Sequence, residues 1–316
     1  MKHSNRKTLK TLKSLIISLT TLFLISCNKP TPKNTIAILQ IVEHQALDEV
    51  RYHFLETLSK HGLIQGENLK VIYRNAQGNS AINQQMTKDV LAANPDLILT
   101  ISTPSAQAAV NATKNLNIPI VFAAVTDPVG AHLIKNLKAP EGNVTGILDA
   151  PPVEAQLDYL RKVIPHLKNL GLLYNPGETN SVAMINAAKV WAQKNSIHIE
   201  EGAITTTNDI KAVTDMILPK IDAIYVPLDN TIVSAMTSLS DLATHARKPV
   251  FAADSGSVKN GAVAALSYSY EDVGIEAGTM ALKILEGTPI KDLPAHTPKN
   301  LKVFINKEKW QTLKLP

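Results

Sequence analysis

Ser102, Thr103 and Ser105 place three hydroxyls within four positions, with Pro104 among them. They follow an apolar run at 97–101 that suits a strand buried on both faces, and Pro104 stands where a first helical residue belongs. Hydroxyls and free N–H groups at the carboxyl end of a parallel strand can hold an anion or a carboxylate. Acids and amides recur at similar places. Asp127 follows the run 120–124, Asn175 follows 169–173, Asp229 and Asn230 follow 223–226, and Asp254 follows 250–252. His44 lies in the loop that leaves the first such run. Each has a structural reading too, because Thr, Asn and Asp at these points also cap helices or start turns.

Other chemistry finds no support in the residue pattern. There is no G-x-S-x-G elbow, G-x-G-x-x-G turn or phosphate-binding loop. The nine histidines are scattered without the H-E-x-x-H or H-x-H spacing of a metal site, so neither a metal nor another cofactor is expected. The chain holds one cysteine, Cys27, which rules out an intrachain disulfide. Loops that look like binding sites without a catalytic constellation favour a binding protein over an enzyme.

The elements that must carry these loops alternate. Strands are expected at 35–42, 69–73, 97–101 and 120–124, with helices at 47–60, at 80–93 (capped by Ser80) and from about 104 to 114. This is a β-α-β series, the pattern of a parallel sheet with helices on both faces. Residues 143–148 read as a crossover, and 149–152 break the pattern. A second series follows, with strands at 169–173, 197–200, 223–226 and 250–252 and helices between them. The two halves echo each other: Pro119-Ile120-Val121-Phe122-Ala123-Ala124 resembles Pro249-Val250-Phe251-Ala252-Ala253. Two α/β lobes with strand ends facing a shared cleft are therefore expected, a usual place for a small ligand. A long helix at 270–285 should return to the first lobe, and a strand at 302–305 should join the second.

The 316 residues allow about two domains, and 45% hydrophobic content supports a sizeable core. The net charge of +5 comes from one place. Residues 1–26 hold Lys2, Arg6, Lys7, Lys10 and Lys13 and no acid; without them 27 basic residues face 27 acidic ones. Nucleic acid is thus excluded as an expected partner, since it would need a basic patch on the folded part. The basic stretch precedes an apolar run at 15–25 and then Ser26-Cys27, which resembles the bacterial lipobox. The expectation is a lipoprotein signal peptide at 1–26, lipidation at Cys27 and a polar tether at 27–34.

The later motifs carry a family resemblance. Ile41-Val42-Glu43-His44, Thr103-Pro104-Ser105-Ala106-Gln107, the run from Pro119 to Gly130, Gly142-Asn143-Val144-Thr145-Gly146, Leu173-Tyr174-Asn175-Pro176-Gly177-Glu178 and Asp222-Ala223-Ile224-Tyr225-Val226-Pro227 are similar to those of the substrate-binding lipoproteins of ABC transporters, tryptophan/tyrosine-binding members included. The match spans about residues 35–312. It implies a type I periplasmic-binding-protein fold: two Rossmann-like lobes with parallel sheets, joined by a three-crossover hinge. The lobes are expected at 35–147 plus about 268–290, and at 148–267 plus about 291–316. The resemblance also implies a monomer that captures a small ligand, most plausibly an aromatic amino acid, and delivers it to an ABC permease with its ATPase; a sensory receptor subunit is the alternative. For an amino acid, Ser102, Thr103 and Ser105 would meet the carboxylate and Asp254 or Asp229 the ammonium. Asp127, Asn175, Asn230, Tyr268 and His44 would supply the remaining contacts. Ser102 and Ala253 stand where relatives often carry Gly.

Overall fold

The computed structural model describes residues 34–316; Cys27, the expected signal peptide and nearly all of the expected tether lie outside the described residues. Two sheets organise the chain. The first contains β1 (Asn34–Gln40), β2 (Leu69–Asn75), β3 (Leu97–Ile101), β4 (Ile120–Val125) and β5 (Val144–Leu148) in the order β2-β1-β3-β4-β5, all parallel. Its helices are α1 (Gln45–Lys60), α2 (Ser80–Leu91) and α3 (Thr103–Ala112). Every residue of β3, β4 and β5 is buried, because helices cover both faces and leave no polar side to the strand. The edge strand β2 is partly exposed and carries Lys70 and Arg74.

The second sheet contains β6 (Asn169–Tyr174), β7 (His198–Ala203), β8 (Ala223–Val226), β9 (Val250–Ala252), β10 (Ala264–Ser267) and β11 (Lys302–Ile305). Its order is β11-β10-β9-β8-β6-β7, with only β11 antiparallel. Its helices are α4 (Val153–Val163), α5 (Thr179–Lys194), α6 (Ile210–Ile217), α7 (Asn230–Val233), α8 (Met236–His245) and α9 (Ser255–Lys259). Side chains alternate across this sheet. Ala223 and Tyr225 enter one core cluster, while Ile224 and Val226 enter the other, as the period of two requires.

The chain then returns. In α10 (Tyr270–Leu285), Gly274 and Gly278 face α1, where a Cβ at Gly274 would come 2.6 Å from the Val50 carbonyl oxygen. That approach seats α10 on α1 of the first lobe. The last helix, α11 (Lys307–Thr312), follows β11.

Four local expectations change. Residues 144–148 form β5, an edge strand, and the first passage between lobes is the Pro-rich 149–152. The cap of α2 is Asn79, whose side chain accepts from the Ala81 and Ile82 N–H groups, not Ser80. The short, Ala-rich β10 gave no strand signal, lacking the β-branched residues that mark one. The final passage lies beyond His296 rather than near 291: Leu293 and Ala295 join the first core, and Leu148 donates its N–H to His296.

Candidate functional site

The strand ends and helix starts of both lobes meet at an inner chamber of about 20 Å³, enough for one or two water-sized groups. The first lobe contributes His44, Ser102, Thr103, Thr126 and Tyr270; the second contributes Asn180, Asp229, Asn230 and Asp254, and Asp149 comes from the first passage. The βα units explain the convergence. Each strand releases its chain at the same end of the sheet, so the next helix starts there. Ser102 precedes α3, Asp229 precedes α7, Asp254 precedes α9, and Tyr270 opens α10.

Among the described residues, seven buried side-chain polar atoms lack a partner, and three of them line this chamber: Thr103 Oγ1, His44 Nδ1 and Asn180 Oδ1. A buried polar atom without a partner is costly, so three in one chamber mark a site built for an incoming group. The capping alternative fails for two candidates. Ser102 and His44 stand at the N-caps of α3 and α1, yet neither side chain makes a cap hydrogen bond. Ser102 also holds φ at +82° and ψ at 155°, a region that favours glycine. Ala124, at the irregular end of β4 and also in the chamber wall, has φ of +55°.

The acids divide by how fully they are engaged. Asp229 is committed to the fold: Oδ1 accepts from the Ile232 N–H at 2.9 Å, and Oδ2 accepts from the Asn175 N–H at 2.6 Å and the Ser181 hydroxyl at 2.7 Å. Burial, with the nearby Glu178 charge, pushes its pKa up to about 7. Asp254 caps α9, accepting from the Ser257 N–H at 2.7 Å and the Ser257 hydroxyl at 2.5 Å. Asp149 accepts from the Tyr270 hydroxyl at 2.9 Å and the Thr126 hydroxyl at 3.4 Å. Burial raises its pKa to about 7 against the pull of those bonds. Burial also lowers the His44 pKa, opposed by the nearby charge of Asp254 and then by Asn230. No lysine or arginine lines the chamber, so three carboxyls face it without a cationic side chain.

Beyond Asn230, which lines both spaces, a wider cavity of about 860 Å³ separates the lobes. One wall offers Asn79, Ser80, Asn83, Gln84, Gln107 and Asn111; the other offers Asn175, Thr205, Thr206, Thr207, Thr231 and Ser234. Lys88 is its one basic residue and Glu178 its one acid. Glu178 is fully engaged. It accepts from the N–H groups of Asn230 and Thr231, both at 3.0 Å, and from the side chains of Asn180, Asn230 and Thr231.

The sequence-level candidates therefore separate. His44, Ser102, Thr103, Asp229, Asn230 and Asp254 come together in the chamber. Asn175 lies in the wider cavity, its amide spent on Thr231 and Gly177. Three expectations are corrected. Ser105 is buried against α2, its hydroxyl donating to Asn83, and does not line the chamber. Asp127 is exposed and closes a surface turn by accepting from the Gly130 N–H. Tyr268 lies in the second passage, and Tyr270 is the tyrosine that reaches the chamber. Asp149, Asn180, Thr126 and Tyr270 were missed. The available hint was Asp149 itself, an acid directly after a buried strand.

Known proteins resemble this chain at the level of family and fold. The sequence profile of the family described as ABC transporter substrate binding protein matches residues 35–315. A protein of Clostridioides difficile (strain R20291) named Tyrosine-binding protein is 37% identical over 281 residues, 89% of this chain and 81% of that one. The structure of an ABC domain in complex with L-Trp from Streptococcus pneumonia is 32% identical and covers 90% of this chain and 95% of its own, with a TM-score of 0.85. The ligand-free, open structure of a substrate binding protein with adhesive properties from Clostridium difficile is 40% identical with the same coverage, 90% and 95%, but a TM-score of 0.67. The chain overlays better on the complex than on the open form, although its sequence is nearer the latter. The two-lobed arrangement is the type I periplasmic-binding-protein fold implied by the sequence.

Proposed function

The chain belongs to the ABC transporter substrate-binding protein family, a family of solute-binding proteins rather than enzymes, and from that premise we propose that it captures an aromatic amino acid outside the cytoplasmic membrane and delivers it to an ABC import permease. One observation carries the ligand class. Unpartnered atoms from both lobes, Thr103 Oγ1 and His44 Nδ1 on one side and Asn180 Oδ1 on the other, converge on a chamber that also holds free acid capacity. A zwitterionic head group satisfies both needs, entering a chamber that must widen from about 20 Å³ to admit it. Its carboxylate takes the Ser102–Thr103 start of α3, where the N–H groups and helix dipole favour negative charge. Its ammonium takes Asp254 and Asp149, which face no cationic side chain. The chamber is too narrow for an aromatic ring, so the ring extends past Asn230 into the wider cavity. There Val42, Pro104, Ala108 and Ala112 supply apolar contact among the amides and hydroxyls.

Binding across two lobes couples capture to closure, and the closed form is what a permease would receive. The protein acts as a monomer, held at the membrane by lipid on Cys27 through the short tether. Calorimetry of the purified protein against tyrosine, tryptophan, phenylalanine, nucleosides and sugars tests the ligand. Heat with at least one aromatic amino acid and none with sugars is expected; silence with all three would sink the assignment. Labelling with radioactive palmitate tests the anchor, and label on a Cys27→Ala chain equal to wild type would remove it.

A further inference from the structure

We propose that Gly256 is a closure-determining residue, the point at which the second lobe seats on the first. The proposal rests on the closing-lobe reading given above. Gly256 is the second residue of α9, and Ala46 is the second residue of α1 in the other lobe. A Cβ built on Gly256 would lie 2.9 Å from the Ala46 backbone nitrogen and 3.2 Å from the Ala46 Cβ. Real Cβ atoms do not come that close to backbone, so a side chain here has to move one lobe away from the other. Ala46 is fully buried, and Ser255 through Val258 are buried with it.

Backbone freedom does not explain the glycine. Gly256 does not have the positive φ that characterises Gly62, Gly66 and Gly287. Its contribution is the missing Cβ. Gly274 serves α1 in the same way from the other side, but that contact joins two helices of one lobe. α1 therefore has one glycine contact that holds a lobe together and one that lets the two lobes meet. The second lies beside the chamber. His44 occupies the N-cap position of α1 and Asp254 caps α9, each two residues before the touching position. Seating α9 on α1 thus brings the His44 and Asp254 sides of the chamber together. Lys259 and Glu49 extend the contact as a partly exposed ion pair at 2.5 Å, of a kind that adds little.

A thiol pair reads the contact directly. In a full chain carrying Cys27→Ala, the double substitution Ala46→Cys with Gly256→Cys starts from two Cβ positions 3.2 Å apart, and the outward shift of a few tenths of an ångström that a side chain at 256 demands brings them into the disulfide range of about 3.5–4.5 Å. Air oxidation followed by non-reducing electrophoresis should show an intrachain bond, formed faster when L-tyrosine is added. In parallel, Gly256→Val should weaken tyrosine binding by roughly tenfold, with Gly256→Ala intermediate and the ligand-free melting temperature unchanged. Ala46→Val enters the contact from the opposite lobe, away from Asp254, and should act like Gly256→Val. Absence of the disulfide with and without tyrosine overturns the proposal, as does a Gly256→Val chain that binds like wild type. A disulfide that forms while tyrosine neither binds nor accelerates it upholds the contact and removes the ligand assignment instead.

Discussion

The inner chamber and the wider cavity lie side by side between the same two lobes, yet they are built on opposite plans. The chamber is small and holds three carboxyls; the cavity is some 860 Å³ and almost free of charge. In the chamber, helix starts and buried hydrogen bonds hold the three carboxyls in place. Across the cavity, the polar groups are amides and hydroxyls carried on α2, α3 and α7 and on the turns around Asn175 and Thr205–Thr207. The contrast assigns the two parts of recognition to different places. The chamber determines which class of molecule binds, because burying an unmatched charge is expensive. The cavity determines which member of the class is preferred, because its groups exchange readily with water.

Asp254→Asn should give the largest effect. Asparagine caps a helix as well as aspartate does, so α9 and the melting temperature should hold. The loss of charge should still cut ligand affinity by about a hundredfold or more, as for other buried partners of an ion pair. Calorimetry beside a thermal melt checks both, and an unchanged affinity would break the division between the two spaces.

Acidity should act nearly as strongly. Asp149 has a folded pKa near 7, well above the ordinary carboxyl range, and an ammonium ligand prefers it ionised. Affinity should therefore rise with pH, by up to about tenfold per unit below 7, and flatten above it. Ligand-free stability should move the other way. The folded protein holds protons on Asp149 and Asp229 that the unfolded chain has already released. The contribution of these two groups is greatest below the unfolded carboxyl pKa and is lost as pH rises through about 7. Binding and melting curves over the same pH series should cross.

Thr103→Val removes a hydroxyl with no partner in the protein. It should leave the ligand-free melting temperature unchanged or slightly higher, and weaken binding by about tenfold, the worth of a hydrogen bond to a charged group. A fall in stability without a change in affinity would make Thr103 a structural residue. Asn111→Ala, in the wall of the wider cavity, should change overall affinity about twofold at most. Its effect should appear in the ratio between tyrosine, phenylalanine and tryptophan. If that ratio is fixed while overall affinity collapses, the cavity is not where members of the class are told apart.

Much of this was legible before folding. The buried runs at β1, β3, β4, β8 and β9 declare themselves because parallel strands covered on both faces have no use for polar residues. Their polar exits pointed to Ser102, Thr103, Asp229 and Asp254. Asp127 sits at the same kind of exit and misled, because its chain turns outward and the carboxylate closes its own turn. Tyr268 and Tyr270 are two residues apart in similar surroundings, and only the entry angle of α10 decides which one reaches Asp149.

The sequence by itself determined the alternation of strand and helix, the doubled lobe and the chemistry at the strand exits, since these follow from local periodicity and residue type. Only the tertiary structure decided which exits face one another, that Asp149 and Asn180 belong to the chamber, and that Asp229 is already spent on the fold. Those outcomes depend on how two sheets are set across three passages of chain. The contact where Gly256 meets Ala46 is one such setting, and no local pattern encodes that distance.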